Sequence, residues 1–67
     1  MEDIKNIVAK NITELRLLNN MTQMELAEKL NYSDKTISKW ERAESTPDIS
    51  VLVEIANLLF RSVQYFE

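Results

Sequence analysis

Apolar side chains recur along this chain at helical rather than strand spacing. Ile4, Ile7, Val8, Ile12, Leu15 and Leu18 fall on one side of a helix running from about Ile4 to Leu18. Asn19-Asn20 interrupts that pattern, as Asn pairs do in turns. A second helix is predicted from Thr22, because Thr22-Gln23-Met24-Glu25 has the form of a capping box. Leu26, Ala27 and Leu30 make its inner face. Asn31 follows where the chain must reverse, and Asn tolerates the left-handed conformation better than most residues. Ser33 caps a third helix that buries Ile37 and Trp40 and ends near Arg42. Thr46-Pro47-Asp48 opens a fourth with a cap, a proline at the first helical position and an acid at the positive end of the dipole. It is expected to reach about Leu59 or Phe60, and Ser62 to cap a short fifth helix holding Val63 and Phe66. The expected architecture is all-α, five helices in a single domain over residues 1–67.

The fourth helix carries more apolar surface than one core needs. Ile49, Leu52, Val53, Ala56 and Leu59 are expected to form its inner face. Val51, Ile55 and Leu58 form a second stripe, with Val63, Tyr65 and Phe66 close behind. An exposed patch of this kind usually marks a binding surface, so these six residues are expected to form a homodimer interface. The alternative is a wide face covered by the last helix or by further chain. Leu17 lies off the first helix's apolar face, and nothing in the pattern explains it.

Composition narrows the chemistry. A chain of 67 residues with no Cys, no His and no Gly has no disulfide, no usual general base, few routes to a zinc site and no Gly-rich phosphate loop. An enzyme is therefore not expected, nor any cofactor or metal. A domain this small buries only about 60% of its unfolded surface, so close helix packing or a second subunit must supply stability. No apolar run approaches the ~20 residues a membrane span needs, and the acidic start is unlike a secretory signal, so a cytoplasmic location is expected.

The net charge of −3 weighs against nucleic acid until its distribution is considered. Residues 1–21 balance, and so do residues 22–42, where Glu25, Glu28, Asp34 and Glu41 meet Lys29, Lys35, Lys39 and Arg42. The deficit lies after residue 42, in Glu44, Asp48, Glu54 and Glu67 against Arg61.

Two short helices joined by a tight turn over residues 22–42 make sense as a rigid unit that presents its second helix outward. With Ile37 and Trp40 turned inward, Asp34, Lys35, Ser38 and Lys39 face out, with Thr36 beside them. Hydrogen-bonding side chains on a rigid helix are what reading base edges in a DNA major groove requires.

At these residues the chain resembles the phage repressor and Cro (Xre) family of helix-turn-helix regulators. The resemblance is carried by Leu15-Arg16, Met21-Thr22-Gln23, Glu25-Leu26-Ala27, Leu30, Ile37-Ser38, Trp40-Glu41-Arg42, Pro47 and Ala56, over roughly residues 7–63. It implies the five-helix, lambda-repressor-like fold and sequence-specific binding to double-stranded DNA, usually as a homodimer. Asn31, Ala43 and Phe60 stand where the family commonly has Gly. At Ala43 this implies either a differently shaped helix end or a strained left-handed residue.

The resemblance also assigns roles. Lys35, Thr36 and Lys39 match base-facing positions, with Asp34 and Ser38 beside them. Gln23 matches a phosphate contact aided by the amides of its helix N-terminus. Ser33, Arg42, Ser45 and Thr46 complete the backbone-contacting set, with Ser33 and Thr46 also serving as caps. Arg16 and Glu41 match a partly buried salt bridge between the first and third helices. For Trp40, a core position is favoured over a base-stacking platform by its spacing from Ile37.

The resulting expectation is a transcriptional regulator, a repressor by preference, acting as a homodimer on an inverted-repeat operator. Two alternatives remain: an antitoxin that regulates its own promoter, and a protein-interaction module that has lost DNA binding. A C-terminal effector domain or partner protein beyond Tyr65-Phe66 is a further expectation.

Overall fold

The computed structural model describes the backbone of residues 3–64 and the side chains of residues 3–59. Four helices appear among them: α1 (Ile4–Leu18), α2 (Gln23–Leu30), α3 (Asp34–Glu41) and α4 (Ile49–Gln64). α3 packs on both α1 and α2, and α4 closes the bundle against α1 and the edge of α2. The core joins Ile12 of α1, Leu26, Ala27 and Leu30 of α2, Ile37 and Trp40 of α3, and Val51, Ile55 and Leu59 of α4.

The starts of the helices follow local chemistry. Asp3 caps α1, and Ser33 Oγ accepts the N–H of Thr36 at the start of α3. The capping box of α2 is complete: Thr22 Oγ1 accepts the N–H of Glu25 at 3.0 Å, and Glu25 accepts that of Thr22 at 2.8 Å. At α4 the expected cap moves by two residues. Asp48, not Thr46, accepts from Ser50 Oγ at 2.8 Å and from the Val51 N–H at 3.1 Å. The Ser50 hydroxyl, followed by the Val51 amide, holds the Asp48 carboxyl below its ordinary pKa. Pro47 precedes this cap and is buried.

Three helices end in one way without a glycine. Asn20, Asn31 and Ala43 take φ values of 56°, 61° and 61°. The next N–H then reaches back five residues: Met21 to Arg16 O at 3.1 Å, Tyr32 to Ala27 O at 2.9 Å, and Glu44 to Lys39 O at 2.9 Å. These are Schellman turns. Asn enters the left-handed region readily, whereas the Cβ of Ala43 meets its following carbonyl at a cost of about 1–2 kcal/mol. Of the two expectations for Ala43, the left-handed one is found.

Three expectations about faces and helix count need correction. Ile4, Ile7 and Leu18 are exposed, because the packed elements cover the middle of α1 and leave its ends open; Ala9, absent from the expected face, is buried. On α4 the two stripes exchange places. Val51 and Ile55, expected at a dimer interface, are core residues, and Leu58 packs partly against them. Ile49 and Val53, expected inside, are 80% and 55% exposed, with Leu52 and Ala56 half-buried beside them. Polar Ser50, Glu54 and Asn57 occupy only a narrow sector of α4, so apolar spacing alone does not set which half of the broad apolar face turns inward. Finally, α4 runs through Ser62 and Val63 to Gln64, so the expected fifth-helix cap is an interior residue of α4. Tyr65 and Phe66 lie outside the described residues. Among the described residues, no helix is long and apolar enough to cross a membrane.

Replacing Ala43 with Gly removes the left-handed penalty while adding freedom to the unfolded chain. The net expectation is a gain of about 0.5–1 kcal/mol, seen as a rise of a few degrees in Tm. Thermal unfolding of A43G checks this; an unchanged or lower midpoint contradicts the strain.

Candidate nucleic-acid interface

The α2–turn–α3 unit is held from two sides. Within it, Asn31 reverses the chain, and Tyr32 packs edge-on against Trp40, with ring centroids 5.3 Å apart and planes at 66°. Ile37 is fully buried and Trp40 is 4% exposed, so α3 is fastened along its inner side. Trp40 is therefore a core residue, as its spacing indicates.

The second fastening is ionic. Glu41, the last residue of α3, accepts from Arg16 Nε at 2.7 Å and from Arg16 Nη2 at 3.0 Å. The same guanidinium donates through Nη1 to the carbonyl of Met21 at 2.8 Å. Gln23 Nε2 donates to Glu41 Oε1 at 3.0 Å. One carboxylate thus ties α1, the first residue of α2 and the end of α3 together. The Arg16 and Glu41 side chains are only 12% and 7% exposed. Burial by itself pushes the Glu41 carboxyl up, but the hydrogen bonds from Arg16 and Gln23 and the charge of Arg16 outweigh it, and its pKa falls below the ordinary 4.5. The hydrogen bond to Glu41 likewise raises Arg16.

The outward side of α3 is polar. Lys35 and Lys39 are exposed, and Asp34, Thr36 and Ser38 are half-buried. An open cleft brings together Gln23, Asp34, Lys35, Ser38, Lys39 and Arg42. The first two amides of α2, at Gln23 and Met24, have no acceptor within their own helix. Ser33, Thr36, Ser45 and Thr46 do not line this cleft. The hydroxyls of Ser33 and Thr36 lie 3.1 Å apart at the start of α3, while Ser45 and Thr46 sit in the loop before α4. Because Asp48 has taken over the cap of α4, Thr46 is released from the competing role expected of it.

Two features were not read from the sequence. The amide of Gln23 is already anchored on Glu41, which fixes where its remaining N–H and its carbonyl point. Arg42 is engaged as well: its Nε meets Glu44 Oε2 at 2.7 Å, its Nη2 meets Oε1 at 3.3 Å, and its Nη1 donates to Ser38 Oγ. The signal for the second was present as an acid two residues past a base across a helix end, but it depends on the left-handed turn at Ala43 to bring the two together. Among the described residues, no group of His, Cys, Asp or Glu side chains is arranged to hold a metal ion.

A family model described as helix-turn-helix matches residues 12–66. Among curated proteins, the chain is similar to the HTH-type transcriptional regulator ImmR of Bacillus subtilis, 36% identical over 58 residues, covering 87% of this chain and 46% of that protein. It is also similar to the control protein C.SmaI of Serratia marcescens, 38% identical over 61 residues, covering 91% and 73% of the two chains. A third relative is an uncharacterized HTH-type transcriptional regulator of Rickettsia conorii, 30% identical over 66 residues, covering 98% and 53%. The chain spans about half the length of the first of these curated relatives. No solved structure gives a significant match.

The Arg16–Glu41 pair makes stability depend on pH with a definite sign. Glu41 has a lower pKa folded than unfolded, so its contribution is present above about pH 4.5 and is lost as pH falls through the folded value. Glu41→Gln is expected to cost about 2–3 kcal/mol at neutral pH, because it leaves a nearly buried guanidinium without its counter-charge. The gap between parent and variant should narrow on acidification. Urea unfolding of both chains between pH 7 and pH 3 measures it, and a gap that is absent, or constant with pH, contradicts the pair's role.

Proposed function

The chain belongs to the helix-turn-helix family of DNA-binding transcriptional regulators, in its repressor and Cro (Xre) branch, and from that premise we propose that it binds double-stranded DNA sequence-specifically, as a homodimer on an inverted repeat, and represses transcription by occupying the site. The observation that carries this reading is the cleft along α3, where Lys35, Lys39, Ser38 and Asp34 meet Gln23 and Arg42 on a helix pinned by Ile37, Trp40 and Glu41.

α3 lies in the major groove in this account. Lys35 and Lys39 reach guanine O6 and N7, the Thr36 methyl meets a thymine methyl, Asp34 accepts from cytosine N4, and Ser38 serves either partner. Gln23, with the free amides at the start of α2, takes a phosphate. Ser33, Ser45, Thr46 and Arg42 take others, and these contacts set register without reading sequence. No step is chemical: the regulator acts by occupancy, and neither a cofactor nor an enzymatic activity enters the account.

The dimer surface follows the exposed half of α4. Ile49 and Val53, with Leu52 and Ala56 at their edges, form an apolar strip on the side away from the chain's own core. Two copies joined there would present two α3 helices to half-sites about 34–36 Å apart, one turn of the duplex. A protein-interaction module without DNA binding is the competing reading, supported by the net charge of −3.

Both parts can be tested with duplexes selected from a random pool, titrated beside scrambled sequence at several salt concentrations. Lys35→Ala is expected to relax preference at one position in each half-site, at a cost of about 1–3 kcal/mol against the best sequence. Val53→Glu is expected to leave helicity intact while weakening both self-association, followed by sedimentation, and binding to the paired half-sites. Equal affinity for selected and scrambled duplex, unchanged by Lys35→Ala, favours the interaction module.

A further inference from the structure

Glu44 has no part in the contacts proposed above, yet it sits against them. The left-handed residue Ala43 ends α3, and the Glu44 N–H returns to the Lys39 carbonyl at 2.9 Å. That turn lays the Glu44 carboxylate along the guanidinium of Arg42, Nε to Oε2 at 2.7 Å and Nη2 to Oε1 at 3.3 Å. With Nη1 donating to Ser38 Oγ, three of the five N–H donors of Arg42 are in use within the chain. One of the two edges by which a guanidinium holds a phosphate in two-point fashion, Nε with Nη2, is filled by a carboxylate, an anion of similar reach.

We propose that Glu44 is an internal competitor for the phosphate that Arg42 takes, and that it holds down sequence-independent affinity for DNA. The pair is built for exchange rather than for stability. Its side chains are 54% and 52% exposed, and an ion pair this open contributes little to the fold. The hydrogen bonds from Arg42 outweigh desolvation and, with the charges of Arg42 and then Lys39, hold the Glu44 carboxyl below its ordinary pKa, so the competitor is negative at neutral pH. The buried carboxylate of Glu41 is already neutralised by Arg16. Asp34 lines the cleft beside Lys35, Lys39 and Arg42, and Glu44 acts on it from its edge through Arg42. Backbone contacts supply affinity for any duplex. Restraining one of them leaves a larger share of the binding to the base-reading side chains of α3.

The proposal rests on the DNA-binding reading, and the experiment separates the two. The parent chain, Glu44→Gln, Arg42→Ala and the double variant are titrated against a selected duplex and its scrambled counterpart from low to moderate salt, with Tm recorded for each. Glu44→Gln is expected to keep the parent's Tm and to bind both duplexes about two- to fivefold more tightly at low salt. Its log–log salt slope should be no shallower than the parent's, because Arg42 meets its phosphate in both chains. In the Arg42→Ala background the substitution should give no such gain. Unchanged or weaker binding by Glu44→Gln, or a gain that survives intact without Arg42, overturns this proposal alone. Failure of the parent chain to bind any duplex overturns the DNA reading and this proposal with it.

Discussion

A carboxylate at 7% exposure is costly to remove from water, and Glu41 stands at the point where three segments meet. The two-point bond from Arg16 and the amide of Gln23 offset that cost only when α1, the start of α2 and the end of α3 hold one relative placement. Ile37 and Trp40 supply the burial that holds α3 down, and Glu41 sets its angle and register against the start of α2. The polar side of α3 inherits that precision: Lys35 and Lys39 project from a helix fixed on its opposite face, and Gln23 projects from the residue that Glu41 itself holds.

The same economy governs the turns. With no glycine anywhere in the chain, each reversal relies on a residue that carries a side chain into left-handed space. Asn20 and Asn31 do so at low cost, and Ala43 at a higher one. The Ala43 turn also delivers Glu44 to Arg42, so a local backbone choice at the end of α3 shapes the electrostatics of the proposed interface. The acidity of the chain as a whole is a poor guide to that interface. Glu41 and Arg16 neutralise each other beneath it, and Glu54 lies on α4.

Much of this was legible in the sequence where the signal is local. Thr22 with Glu25, Ser33, and the turn at Asn31 are short-range hydrogen-bonding patterns, and they appear where the residues place them. The Arg16–Glu41 bridge was legible only through resemblance, since nothing in spacing alone joins residues 25 positions apart. The phase of α4 was not legible. Ile49, Val51, Leu52, Val53, Ile55, Ala56, Leu58 and Leu59 give nearly three-quarters of its first eleven positions to apolar residues, so either half can face a core; packing against α1 and α2 selects Val51, Ile55 and Leu59. Ser62 resembled a cap, but a cap needs the preceding residues to leave the helix, and between Ile49 and Gln64 there is neither glycine nor proline to break it. The engagement of Gln23 and Arg42 was hidden for a further reason: polar side chains at the surface carry no periodic signal about which neighbour they choose.

The central claim is that the α2–turn–α3 face, positioned by Glu41, is the surface that meets DNA. Amide-resolved NMR of the isotope-labelled chain, titrated with a duplex selected from a random pool, tests it most directly. The account predicts that shifts concentrate at the amides of Gln23 and Met24 and along Asp34 to Arg42, while those of the buried α4 residues Val51, Ile55 and Leu59 move little. Shifts confined to the exposed side of α4, or no shifts with any duplex, would contradict it.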